Sequence, residues 1–148
     1  MWFKTRTTVG GQLIGFGSHT IGASSGYDRT FYMLDNGFLR FGVNPGTPAS
    51  IVSNAALNDD AWHHVAASLG PAGMRMYVDG VLQTSQNAGI TTGQSISPGY
   101  WRIGGDDLAG HSTVPSSYYF SGWIDDVAMY DKELTPDKIS AHYHSRDR

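Results

Sequence analysis

The sequence predicts an all-β fold: a two-sheet antiparallel β-sandwich with one short C-terminal helix. Three observations predict it. Roughly ten strand-like segments recur at the 8–12-residue spacing of a sandwich or barrel. Asn36-Gly37 and Asp79-Gly80 lie between apolar runs, where Asn-Gly and Asp-Gly supply the positive φ angles of tight hairpins. Helix signals occur once, at Thr135-Pro136, so strand and helix do not alternate as they do around a parallel sheet.

Trp2 to Thr7 alternates apolar and polar residues, the pattern of a half-buried strand. Val9 to Gly11 reads as a turn, and Gln12 to Gly17 as a second strand. Ser18 to Asp28 is small and polar, a loop. Arg29 to Leu34 and Phe38 to Val43 flank Asn36-Gly37 as a hairpin, with Arg40 expected to face water. Two prolines make Asn44 to Ala49 a loop, and Ile51-Val52 a short strand. Asn58 to Asp60 is a polar turn.

Ala61 to Leu82 is the strongest segment: a strand from Trp62 to Leu69, a loop at Gly70 to Gly73, and a strand from Met74 to Val78. Asp79-Gly80 turns it, and Val81-Leu82 starts back. Gln86 to Gly99 is polar and small. Tyr100 to Gly104 reads as a strand, Asp106 to Ser117 as an irregular loop, and Tyr118 to Tyr130 as one long strand. Trp62, Phe120 and Trp123 are assigned to the core. In the helix Thr135 is the N-cap and Pro136 the first position, where no N–H is needed; Ile139 and Tyr143 share its apolar face.

Composition bounds the function. A chain of 148 residues fits one domain, with no internal repeat or linker. Net charge is −3, and the 10 Lys and Arg form no cluster. That excludes a phosphate-driven nucleic-acid surface and a polybasic membrane contact. No stretch approaches the ~20 apolar residues of a membrane span. The absence of cysteine excludes disulfides, thiolate nucleophiles and Cys-type zinc sites. No secretory leader is visible, because Trp2 and Phe3 already begin a strand segment.

Two segments carry a family resemblance. One is W-H-H-V-A followed by M-Y-V-D-G, between Trp62 and Gly80. The other is F-S-G-W-I-D-D-V-A-M-Y-D-K-E-L-T-P-D-K-I, from Phe120 to Ile139. In this order and spacing they resemble laminin-G-like, concanavalin A-like jelly-roll domains of bacterial surface and secreted proteins. They are also similar to the more distant pentraxins. The resemblance implies a jelly roll, a place outside the cell or on its surface, and binding of a carbohydrate or glycoprotein, alongside neighbouring domains of the same protein. Such domains begin with a strand or two ahead of the segment that Trp2 to Thr7 resembles. Residues 1–148 are therefore expected to be a domain cut from a larger protein, with a sheet edge left for another strand.

The resemblance also implies calcium. Asp106-Asp107 follow an I-x-G strand, as the acidic calcium ligands of pentraxins do, and Asp28 lies where pentraxins place an earlier acidic ligand. Calcium takes ~6–8 oxygens, often from loop carboxylates. Exposed aromatic faces suit sugars, so Tyr27, Trp101 and Tyr118 are the ligand-contact candidates.

Catalysis is not expected. Glucanases of this fold carry E-x-D-x-x-E on one strand, and glycoside cleavage needs a carboxylate pair. This chain has one glutamate, Glu133, and its strand-borne pair, Asp125-Asp126, points to opposite faces. Gly22 to Gly26 matches G-x-S-x-G by letter but lies in a loop, without the strand and helix of a nucleophile elbow. Zinc is not expected either, since His63 and His64 face opposite sides and His111, His142 and His144 lack ligand spacing. The expected function is thus a non-catalytic carbohydrate-binding module; the alternative is a protein-interaction or structural domain with no sugar ligand.

Overall fold

In the computed structural model, which describes residues 1–146, ten strands form two five-stranded antiparallel sheets. The last two residues of the expected domain lie outside the described residues. The strands are β1 (Trp2–Lys4), β2 (Gly11–Gly17), β3 (Tyr27–Met33), β4 (Phe38–Val43), β5 (Ala49–Ala56), β6 (Trp62–Gly70), β7 (Gly73–Val78), β8 (Val81–Leu82), β9 (Tyr100–Ile103) and β10 (Trp123–Asp125). One helix follows, α1 (Pro136–His144). One sheet has the order β10-β1-β6-β7-β8 and the other β5-β4-β3-β2-β9.

Alternation places the core between the sheets. Phe3, Val65, Met74, Met76 and Val78 from the first sheet meet Leu13, Ile14, Phe31, Met33, Leu39, Phe41, Val43 and Ile51 from the second. A register shift in β2 between Gln12 and Ile14 lets two consecutive residues, Leu13 and Ile14, both enter this core. The turns close the register. Asp79 (φ 51°) and Gly80 (φ 78°) both adopt the left-handed conformation the hairpin requires. At the other hairpin only Gly37 is left-handed (φ 81°), giving a three-residue loop, Asp35 to Gly37, closed by Leu34 N–H donating to Phe38 O at 2.9 Å.

The helix caps the outer face of the first sheet. Thr135 Oγ1 accepts from Lys138 N–H at 3.4 Å, and Pro136 opens the helix as predicted. Tyr143 stacks on Trp2 with ring centroids 5.7 Å apart, and Ile139 is buried.

Several expectations need correction. Tyr118 to Tyr130 is not one strand: Tyr119 makes isolated bridges to Gln12 and Gly105, and the strand proper is Trp123–Asp125, which ends where Asp126 turns left-handed (φ 49°). Trp123 is not core but 70 % exposed, since its neighbour Ile124 takes the inward position on this three-residue strand. Asp125 and Asp126 are both exposed. Trp62 is half-buried under the Arg146 guanidinium, 4.0 Å from its ring, and Phe120 packs edge-on against Phe3.

The sheets are not sealed on one side. A cleft of ≈ 1140 Å³ opens beside β9 and the segment after β10, lined by the core residues Ile14, Phe31, Phe41 and Val65 together with Trp101 and Met129. An enclosed dry void of that volume would cost roughly 27 kcal/mol at ~24 cal/mol per Å³, more than the ~5–15 kcal/mol that holds a domain together. The space is therefore an open cleft. Trp101 (41 % exposed) and Tyr130 (52 %) line it, and Ile103 (56 %) shares the Trp101 face of β9. Met1 is at its mouth, with the ammonium donating to Val65 O at 3.0 Å.

Candidate functional site

The site lies on the outer face of the second sheet, beneath the loop at residues 105–119. Strand period decides which side chains reach it. With Phe31, Met33, Leu39 and Phe41 turned to the core, Tyr32 and Arg40 must point the other way, and the hairpin sets them directly opposite each other. Tyr32 is fully buried with Leu34 and Leu108, and Tyr118 packs against this second cluster. His111 comes down from the loop onto the Tyr32 ring, 4.6 Å away, and against Tyr27, 5.1 Å away. The Gly42 backbone admits the imidazole: a Cβ there would lie 2.9 Å from His111 Nδ1.

The loop is pinned at its two ends. Gly104 N–H donates to Leu13 O (2.8 Å), Phe120 N–H to Gly104 O (2.9 Å), Ser117 N–H to Val9 O (2.8 Å) and Gln12 N–H to Tyr118 O (3.1 Å). Ser116 N–H donates to Asp35 Oδ1 at 2.8 Å. These bonds anchor the ends of the loop, and His111 on Tyr32 and Ser112 at Ser50 hold its middle over the sheet.

Several polar groups converge here with bonding capacity unused. Arg40 Nη1 donates to Ser50 Oγ at 2.7 Å, and Ser50 Oγ lies 3.1 Å from Ser112 Oγ. Arg40 Nε, Tyr32 Oη, His111 Nε2 and Gln12 Nε2 are buried and have no partner among the described residues. Tyr32 Oη faces the Ser50 and Ser112 hydroxyls without a well-formed bond to either. Burial raises the Tyr32 phenol pKa, opposed by the Arg40 charge. Burial lowers the His111 imidazole to about 4 against the pull of Asp107, so the ring is neutral at neutral pH.

The structure brings together two of the three predicted ligand-contact residues. Tyr27 and Tyr118 border the His111–Tyr32 cluster. Trp101 does not join them: it is paired with Phe16 across β2 and β9 and lines the open cleft. Sequence reasoning missed Tyr32, Ser50 and Ser112, assigned Arg40 only to water, and left His111 without a place. The signal for Tyr32 and Arg40 was present, since the Asn36-Gly37 hairpin fixes them opposite each other.

The three predicted metal ligands are engaged by the protein to different extents. Asp106 is buried, and its carboxylate accepts from Ser24 N–H (2.9 Å), Ser24 Oγ (2.7 Å) and Asp107 N–H (2.7 Å) while pairing with Arg102 Nη1 at 2.9 Å. A guanidinium stands where a cation would. Asp28 is also buried; Oδ2 accepts from Asn44 N–H at 3.0 Å and from Gln94 N–H, and Oδ1 lies 3.4 Å from Arg29 Nε. Asp107 Oδ1 accepts from Ala109 N–H at 2.8 Å. Among the described residues no three acidic or histidine side chains gather around a common point. Asp106 braces the start of this loop against the loop that carries Ser24.

Other letter-level motifs resolve the same way. Ser24 of the G-x-S-x-G match is buried and donates to Asp106, with no helix after it. His63 is clasped by two carboxylates, Nδ1 at 2.8 Å from Asp79 and Nε2 at 3.1 Å from Asp59. The Asp79 bond raises its pKa above the ordinary value, against the effect of burial, and Asp59 adds to the rise. With both ring nitrogens taken, it cannot relay a proton to a nucleophile. Glu133 lies 3.8 Å from Arg75 and accepts from Ser68 Oγ at 3.2 Å.

Comparison with known proteins gives consistent results. A sequence family described as Laminin_G_3, concanavalin A-like lectin/glucanases superfamily, matches residues 1–140. A curated rat (Rattus norvegicus) protein named Sushi, von Willebrand factor type A, EGF and pentraxin domain-containing protein 1 is 30% identical over 119 residues, 77% of this chain. The chain corresponds to only 3% of that protein's length. Among solved structures, the CBM40 of a Ruminococcus gnavus IT-sialidase superposes with TM-score 0.72 at 17% identity, over 97% of this chain and 79% of that one. A heptameric SAP-like pentraxin from Limulus polyphemus gives TM-score 0.63 at 19% identity, over 94% of this chain and 65% of that one. At these identities the structural likenesses establish the fold.

Proposed function

Because the chain belongs to the Laminin_G_3 family of the concanavalin A-like lectin/glucanase superfamily, we propose that it is a non-catalytic carbohydrate-binding module acting outside the cell or on its surface. The observation that carries this reading is the group of buried, unpartnered polar atoms on Arg40, Tyr32, His111 and Gln12, set beside the Tyr27 ring and the exposed Ser112. Hydroxyl-rich ligands need convergent donors and acceptors next to an apolar ring face. The likeness to a carbohydrate-binding module of a sialidase supports the same reading. No step of catalysis is assigned, because the one glutamate is held by Arg75 and Ser68.

The binding we propose is independent of calcium, since both Asp106 oxygens are engaged by Ser24, Asp107 N–H and Arg102, and Asp28 and Asp107 each accept from backbone N–H groups through one oxygen. Isothermal titration against a glycan panel tests it. Tyr27→Ala is expected to weaken glycan binding about tenfold, the ~1.4 kcal/mol scale of a lost aromatic contact. Trp101→Ala and added chelator should leave binding unchanged. Loss of binding on chelation would restore the metal reading; equal loss in both variants would move the site to the cleft.

A second reading rests on the cleft itself. It is broad, its lining mixes apolar residues such as Phe31, Val65 and Trp101 with polar ones such as Arg29 and Gln94, and it lies beside β9, whose outer edge pairs with no strand among the described residues. In this reading the protein is an interaction module, and a strand from outside residues 1–148 completes the sandwich there. The isolated chain is then expected to self-associate, with Ile103→Lys restoring the monomer in light scattering. A chain monomeric across a wide concentration range would count against it.

A further inference from the structure

Six arginines lie among the described residues, and five have a carboxylate within 4 Å: Arg6 with Asp60, Arg29 with Asp28 (3.4 Å), Arg75 with Glu133 (3.8 Å), Arg102 with Asp106 (2.9 Å) and Arg146 with Asp125 (3.7 Å). Arg40 is the exception. It is half-buried, and its one side-chain bond is Nη1 to Ser50 Oγ at 2.7 Å. That bond leaves the opposite edge, Nε and Nη2, unused, and the Nε–H is buried without an acceptor. A partly desolvated guanidinium that lacks a counter-ion is costly. The planar pair of parallel N–H groups on that edge matches the two oxygens of a carboxylate.

The surroundings suit such a ligand. Ser50 and Ser112 offer hydroxyls 3.1 Å apart at the accessible side, and Tyr32 Oη faces them. His111 supplies an imidazole nitrogen, Nε2, with no partner. Asp107 is the acidic group on this loop next to Tyr27 and His111, and its Oδ1 is engaged by Ala109 N–H.

We infer that the outer-face site selects acidic sugars, with the Nε/Nη2 edge of Arg40 taking the sugar carboxylate and Ser50, Ser112 and Tyr32 reading hydroxyls beside it. This rests on the glycan-binding reading above and narrows it from carbohydrates in general to those carrying a carboxylate.

The test is titration of the intact chain with matched pairs of ligands: sialyllactose against lactose, and a glucuronate disaccharide against its neutral glucose counterpart. At least one acidic member should bind ten times or more tightly than its neutral partner, and that preference should shrink as sodium chloride is raised. Arg40→Lys keeps the charge but removes the fork, and should lose tenfold or more for the acidic ligand while leaving the neutral one within a factor of about two. The melting temperature of each variant reports its folding, and the salt dependence on the unmodified chain stands if a variant fails to fold. Equal affinity for acidic and neutral members overturns acid selectivity and leaves the glycan reading in place; an unaltered preference in folded Arg40→Lys overturns the assignment of the carboxylate to the Arg40 fork. Binding to neither member of any pair across the panel overturns both.

Discussion

Asp106→Ala is expected to destabilise the domain by about 3–5 kcal/mol, the cost of removing one partner from a buried ion pair. The loss has two sources. Arg102, with its side chain 16 % exposed, would keep its charge without the carboxylate 2.9 Å away. Ser24 would lose the acceptor of both its N–H and its hydroxyl, freeing the loop at residues 18–26 from the start of the loop at 105–119. At ~2–4 °C per kcal/mol for a domain of this size, the melting temperature should fall by about 6–20 °C. Asp106→Asn should lose less, because it keeps an acceptor but no charge. If Asp106 acted mainly as a metal ligand, substitution would cost little without calcium and would abolish a calcium-dependent rise in melting temperature. Thermal unfolding with and without calcium separates the two.

Acid should weaken the fold before ordinary carboxylates titrate. His64 is buried against Trp2 (5.2 Å) and Tyr143 (6.4 Å), and its pKa falls from 6.5 to about 4. Burial is the main cause; the Met1 ammonium and His142 add to it, and Asp79 opposes. His111 falls to about 4 as well, through burial. Both pKa values lie below the unfolded value, so between pH 6.5 and 4 the unfolded chain binds protons that the folded chain refuses, and stability drops as pH falls through that window. Each contributes on the order of 2 kcal/mol once its partial exposure is discounted. His63 works in the opposite sense: its pKa is raised, so its stabilisation is fully present below 6.5 and is lost as pH rises through the higher folded value. One histidine gains in acid while two lose, so the net effect is destabilising. Urea midpoints at pH 7 and pH 5 measure it, and His111→Phe should flatten the difference. A midpoint unchanged between the two would contradict the burial of both rings.

These two predictions show where local sequence sufficed and where it did not. Asp79-Gly80 and Asn36-Gly37 announce hairpins because few residues adopt positive φ cheaply, and the strands beside them follow from period two. Thr135-Pro136 announces the helix for an equally local reason. Trp123 does not behave that way. Its size suggested core, yet its facing is set by which neighbour, Ile124, takes the inward position on a three-residue strand, and that is decided by pairing with β1. The same holds for Asp106. A carboxylate after an I-x-G strand is compatible with calcium or with an arginine, and only the fold brings Arg102 and Ser24, the latter 82 positions away, to the same two oxygens. The outer-face site joins β3, β4, β5 and a loop some seventy residues further on. Local patterning could pair Tyr32 with Arg40 but could not bring His111 or Ser112 to them.

The loop over that site is tied to the sheet near Gly104, Ser116, Ser117, Tyr118 and Phe120. Between those ties, residues 107–115 cover Tyr32 Oη, His111 Nε2 and Arg40 Nε, which are closed to solvent. A ligand that reaches these atoms waits for that stretch to shift. Across a series of related glycans the association rates should lie close together, set by this common step, and residence time should carry the discrimination.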